Sequence, residues 1–87
     1  MFTKEQFGQR LLSIRKENHE TQTDLAEIIE TKKSHISEME NGKFTTTIEK
    51  LAKICEHYKV SADYLLGLSD DPKLEEQRTE GPVEDQQ

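Results

Sequence analysis

TQTDLAEIIETKKSHISEMENGK, residues 21–43, reads as two short helices joined by almost nothing. Apolar residues recur at helical spacing first through Leu25, Ala26 and Ile29, then through Ile36 and Met39. Only Glu30 and Thr31 separate the two periodic runs. A link that short forces a sharp corner, the arrangement of a helix-turn-helix, and Ala26 lets the two backbones approach there. Spacing alone also admits a plain αα-hairpin with no partner.

The same periodicity runs through the rest of the chain. Phe7, Leu11 and Ile14 form one stripe; Ile48, Leu51, Ile54 and Tyr58 form another; Leu65 and Leu66 form the last. Hydroxyl residues punctuate the stripes. Thr3 precedes Gln6, Thr21 precedes Asp24 and Thr46 precedes Glu49, each at capping-box spacing. Thr31 and Ser61 are further N-cap candidates, because a side-chain oxygen there can accept a free backbone N–H. Gly42 and Gly67 stand where a left-handed residue ends a helix. No stretch alternates with period two. Five helices are expected, near 4–17, 22–29, 32–40, 47–58 and 62–66, in an all-α fold.

Composition bounds the rest. Eighty-seven residues, 31% of them apolar and none tryptophan, make at most one domain with a small core. Such a core is marginal alone, so an oligomer partner would be unsurprising, and no room is expected for a separate sensor or protease domain. No apolar run approaches the roughly 18–20 residues that cross a bilayer. No signal-peptide pattern opens the chain, so a cytosolic location without membrane attachment is expected. The single cysteine, Cys55, suits a reducing compartment.

The net charge of −6 is unevenly placed. Residues 1–69 carry ten Lys/Arg against eleven Asp/Glu, net −1; residues 70–87 carry two against seven, net −5. The boundary between a domain at 1–69 and an acidic tail at 70–87 is drawn there. DDPKLEEQRTEGPVEDQQ has too little apolar surface to offset its ordering entropy and is expected to be mostly disordered. Asp71-Pro72 has the form of a cap and first position for one more helical turn.

On a helical wheel the third helix separates into two faces. Ile36 and Met39 mark the core. Ser34, Ser37 and Glu38 lie opposite, with Lys33 on one flank and His35 on the other. Small hydroxyls at the centre let a backbone come close to another surface. Lys32 and Lys33 sit at the end where the helix dipole favours anions, so they weaken the isolated helix unless an external anion binds there. Free N–H groups beside two lysines suit a phosphate.

TQTDLAEII, KKSHISEMENGK and IEKLAKICEHYKVSADYLLG together resemble the phage-repressor-like, Xre-type helix-turn-helix family, over about residues 6–68. The resemblance implies a compact five-helix DNA-binding domain whose third helix enters the major groove of double-stranded DNA. It implies that Gln22 clamps a phosphate, and that Lys33, Ser34 and Glu38 read bases with Lys32 and Ser37 beside them. Asn41 and Lys43 would hold phosphates after helix three. Arg15 and Glu40 match an ion pair between the first and third helices, structural in role. The sequence departs from the family where glycines are frequent: His19-Glu20 precede Thr21, Glu30-Thr31 form the turn, and Lys59 precedes Val60. Asn18 is the expected left-handed residue at the first of these.

Other features read more plainly. Cys55 is expected as a small buried thiol, with a redox sensor as the alternative. His19, His35 and His57 lack metal-ligand spacing, and His35 is left open between a DNA contact and solvent. No nucleophile with a positioned base and no glycine-rich phosphate loop is visible, so neither catalysis nor a cofactor is expected. Tyr64 and Leu68 form a candidate dimer patch. The function expected is sequence-specific DNA binding by a dimeric transcriptional repressor. Its rival is an antitoxin-like protein-interaction module in which DNA binding is secondary and the acidic tail engages a basic protein.

Overall fold

The computed structural model describes residues 1–74. Five helices follow one another: α1 (Lys4–Glu17), α2 (Gln22–Ile28), α3 (Lys33–Glu40), α4 (Ile48–Tyr58) and α5 (Ala62–Leu65). Each begins where a side chain or an extended residue stops the preceding turn. Thr3 accepts from the Gln6 N–H and Ser61 from the Tyr64 N–H. Thr21 and Asp24 form a reciprocal capping box, with the Thr21 N–H 2.8 Å from Asp24 Oδ2. The Thr21 backbone N–H and hydroxyl hold the Asp24 carboxyl below the usual carboxylate range.

Two caps differ from expectation. α4 is capped by Thr47, which accepts from the Lys50 N–H, and not by Thr46. Any hydroxyl in the run Thr45–Thr47 has the right chemistry, and Thr46 is instead 3.2 Å from His35 Nε2. α3 begins one residue later than its hydroxyl candidate: Lys32 occupies the cap position, no side chain caps the helix, and Thr31 belongs to the turn.

All five helices end on a left-handed residue. Gly42 and Gly67 do so at φ 78° and 79°, as expected, but His19, Glu30 and Lys59 adopt φ 59°, 60° and 58° without being glycine. The left-handed position is therefore kept at each site where the sequence departs from the family's glycines. It falls on His19 and not on Asn18, whose φ is −95° and whose amide donates to the Ile14 carbonyl. A side chain in this region costs about 1 kcal/mol relative to glycine. Lys59 is exposed, so Lys59→Gly is expected to raise stability by no more than about 0.6 kcal/mol once glycine's extra unfolded-state entropy, roughly 0.4–1 kcal/mol, is deducted. A lower urea midpoint for the variant would contradict this.

The core brings together most of the expected stripes, with Cys55 and, not foreseen, Val60: Phe7, Leu11, Ile14, Leu25, Ala26, Ile29, Ile36, Met39, Ile54, Cys55, Tyr58, Val60 and Leu65. α3 packs against both α1 and α2, which sets it as the centre of the domain. Burial pushes the Cys55 thiol up to about 11, so it is a neutral, buried group at physiological pH. The α4 stripe is shorter than its periodicity. Leu51 is only half-buried and Ile48, at the first helical position, is 81% exposed. Leu66 is also half-buried.

Arg10 closes the C-terminal side. Its guanidinium donates to the carbonyls of Tyr64 and Ser69, pairs with Asp70 at 2.8 Å, and lies over the Tyr64 ring at 4.1 Å from the centroid. That ring face is therefore taken; Tyr64 packs half-buried at the core edge, while Leu68 is 64% exposed. The Ser61 N–H donates to the Pro72 carbonyl at 2.9 Å and Val60 forms an antiparallel bridge with Lys73. Asp71-Pro72 thus belongs to an extended segment, not a helical turn, and the packed region runs past residue 69. The rest of the acidic segment lies outside the described residues.

Candidate nucleic-acid interface

The turn between α2 and α3 is closed by backbone hydrogen bonds, with the Glu30 carboxylate also 3.1 Å from Lys53 Nζ. The Glu30 and Thr31 N–H groups donate to the carbonyls of Glu27 and Ala26, at 3.3 and 2.8 Å, which finishes α2. The chain then extends at Lys32 and α3 begins. Ala26, 4% exposed, lies where the two helices meet. α3 is thereby the helix whose first turn carries no side-chain cap, while the other four are hydroxyl-capped. Its free N–H groups are flanked by two exposed lysines, Lys32 and Lys33.

The outer face of α3 follows the helical wheel. Ile36 and Met39 are fully buried against the core. Ser34 is exposed, while Ser37, Glu38 and His35 are half-buried. Among the described residues, the side chains of Lys32, Lys33, Ser34, Glu38 and Lys43 make no hydrogen bond or ion pair. Lys32, Lys33, Ser34 and Lys43 are exposed and Glu38 is half-buried. Ser37 is partly engaged, accepting from the Asn41 amide at 3.4 Å. The end of α3 is fixed by backbone, with the Gly42 N–H on the Met39 carbonyl and the Lys43 N–H on that of Glu38. Lys43 is carried out of this turn into solvent.

His35 does not simply face solvent. Its bond to Thr46 ties the flank of α3 to the loop of residues 43–47. Phe44 projects from that loop, 54% exposed, beside His35. Nothing in the residue pattern singled Phe44 out, because an isolated aromatic in a loop carries no period.

Behind this face a polar network locks α1, α2, α3 and α4. Arg15 and Glu40 form the expected pair, with Nε to Oε2 at 2.6 Å and Nη2 to Oε1 at 2.9 Å, both side chains buried. The Glu40 carboxylate holds the Arg15 guanidinium above its ordinary value. Gln22, expected at a phosphate, is half-buried and its amide donates to Glu40 Oε1 at 3.0 Å. Arg15 Nη1 donates to the Glu20 carbonyl at 2.7 Å. The Glu20 carboxylate accepts from the Tyr58 hydroxyl at 2.6 Å and lies 2.7 Å from His57 Nε2. Burial first, and then Glu20, push the Tyr58 phenol far above its usual range, so it remains a hydrogen-bond donor. Glu20, a departure from the family pattern, is therefore a structural acceptor for the end of α4. Among the described residues no group of three or more His, Cys, Asp and Glu could hold a metal ion, and no helix is long and apolar enough to cross a membrane.

A helix-turn-helix of phage-repressor type, with a tight α2–α3 corner and a polar outer face on α3, is the class this geometry defines. Residues 8–70 match the family described as Helix-turn-helix domain, and the chain belongs to it. An uncharacterised HTH-type transcriptional regulator of Bacillus subtilis strain 168, YobD, is 39% identical over 66 residues. The match spans 76% of this chain and 59% of YobD, so the chain covers about three fifths of that relative's length. Among solved structures, the clp gene regulator ClgR of Corynebacterium glutamicum is similar at 30% identity and a TM-score of 0.66. That match covers 72% of this chain and 67% of ClgR. The restriction-modification controller protein C.AhdI of Aeromonas hydrophila shares the fold at 22% identity, with a TM-score of 0.65 over 71% of this chain and 94% of its own.

Proposed function

We propose that the chain is a sequence-specific double-stranded-DNA-binding transcriptional regulator, a dimeric repressor, that reads the major groove with α3. The observation that carries this reading is the outer face of α3. Its lysines, serine and carboxylate have no partner among the described residues, and its first turn is left uncapped between two cations. Two lysines at a helix N-terminus weaken the isolated helix slightly, and an anion bound between them relieves this, as a DNA phosphate would. The names of YobD and ClgR, both regulators, support the same class of activity.

In this reading Gln22, Asn41 and Lys43 meet phosphates, and Lys33, Ser34 and Glu38 meet base edges with Lys32 and Ser37 beside them. Glu38 is the informative member. An ionised carboxylate accepts but does not donate, repels phosphate, and so contributes nothing to general affinity; it can accept from the amino group of cytosine. The dimer face is the apolar groove lined by Phe2, Phe7, Ile48, Leu51 and Leu66, from which Ile48 and Phe2 protrude. The start of α4 is tied to the flank of α3 through Thr46 and His35. A two-fold dimer that binds two half-sites needs its two α3 helices on the same side of the pair.

Lys43 tests the phosphate assignment. Lys43→Ala is expected to weaken binding to selected and random duplexes alike and to reduce the salt slope by about one unit. Loss confined to the selected duplex would contradict a backbone role.

A further inference from the structure

Arg15 and Glu40 have more to do than hold α1 to α3. We propose that Glu40, itself held by Arg15, is a positioning residue for the phosphate clamp, fixing the Gln22 amide so that its second N–H is presented to the DNA backbone. This rests on the assignment of Gln22 to a phosphate.

Glu40 Oε1 accepts from two donors, Arg15 Nη2 and Gln22 Nε2. Oε2 is occupied by Arg15 Nε. The carboxylate is therefore fixed by a two-point contact with Arg15 before Gln22 reaches it. A planar amide with one N–H committed has the direction of the other determined. Gln22 is otherwise a long side chain at the start of a helix, with rotamer freedom to lose on binding; one that is already held loses less. The charge arrangement agrees. A lone carboxylate beside a phosphate would repel it, whereas Glu40 next to Arg15 is neutralised, so the amide can face an anion. A tie of purely structural purpose would join α2 to α3 equally well, and the two roles separate by measurement.

The experiment is a double-mutant cycle on the full chain with Gln22→Ala, Glu40→Gln and the two combined. Affinity for a selected duplex is measured at a temperature where circular dichroism shows every variant folded. Gln22→Ala is expected to lose about tenfold, the scale of one hydrogen bond to a charged group. Glu40→Gln is expected to lose several-fold in the wild-type background and almost nothing once Gln22 is alanine, because it acts through that side chain. Equal losses in both backgrounds would overturn the positioning role alone. Unchanged affinity in Gln22→Ala would overturn the clamp assignment, and the positioning role with it. Should Glu40→Gln not fold, Glu40→Asp takes its place in the same cycle with the same expected outcomes, and side-chain amide relaxation on the free wild-type protein checks that Gln22 is held. The Gln22 side-chain amide is expected to be markedly more ordered than that of exposed Gln9. Equal mobility of the two amides would overturn the proposal.

Discussion

Gly8→Ala is expected to destabilise the domain by about 3 kcal/mol, although alanine is the better helix former by about 1 kcal/mol. Gly8 lies inside α1, where helix propensity alone gives no reason for glycine. The reason is close approach: a Cβ there would run into the Met39 carbonyl oxygen and stand 2.9 Å from that of Glu40. Both oxygens are backbone in the last turn of α3. Neither can move without shifting Glu40, whose side chain is fixed on Arg15. The cost is therefore overpacking with no compliant neighbour. At about 4–8 °C per kcal/mol for a domain of this size, the melting temperature should fall by roughly 12–24 °C. A variant that melts at or above the wild type would show that α1 and α3 do not meet as described.

Arg15→Ala is expected to cost about 3–5 kcal/mol, because it leaves a buried carboxylate without its cation. Glu40 would retain only the Gln22 amide, and the Glu20 carbonyl would lose its Arg15 donor. The pair makes two hydrogen bonds between side chains 9% and 4% exposed, so solvent cannot substitute for the missing partner. Melts of Arg15→Ala, Glu40→Ala and the double variant form a cycle. The double variant should be much less damaged than the sum of the singles, since removing both charges removes the uncompensated one. Strict additivity would sink the claim that the pair acts as a unit.

Local chemistry explains which features were legible before the structure. Helices and core stripes were, because each depends on residues three or four apart: Phe7, Leu11 and Ile14 need no long-range information. The wheel likewise separated the buried Ile36 and Met39 from Ser34, Ser37 and Glu38. Interchangeable chemistry set the first limit. Thr46 and Thr47 are equally good caps, and which one serves depends on His35 taking Thr46. Backbone conformation set the second. Nothing in the residue types of His19, Glu30 and Lys59 announces a left-handed turn, since each is held there by the helix end and not by its side chain. Distance set the third. Arg10 binds carbonyls more than fifty residues away, and a carbonyl acceptor leaves no trace in residue identity. The same side chain covers one face of the Tyr64 ring.

The most direct test is the sequence profile of DNA bound from a random pool by wild type and Glu38→Gln under the same salt. The wild type is expected to select a defined site. The variant should keep or raise its non-specific binding while its preference relaxes or changes at one base pair per half-site. In a two-fold dimer that change appears twice, about 34 Å or one helical turn apart. An unchanged profile would remove Glu38 from base readout, and a wild type with no site preference at any salt would contradict sequence-specific reading by α3.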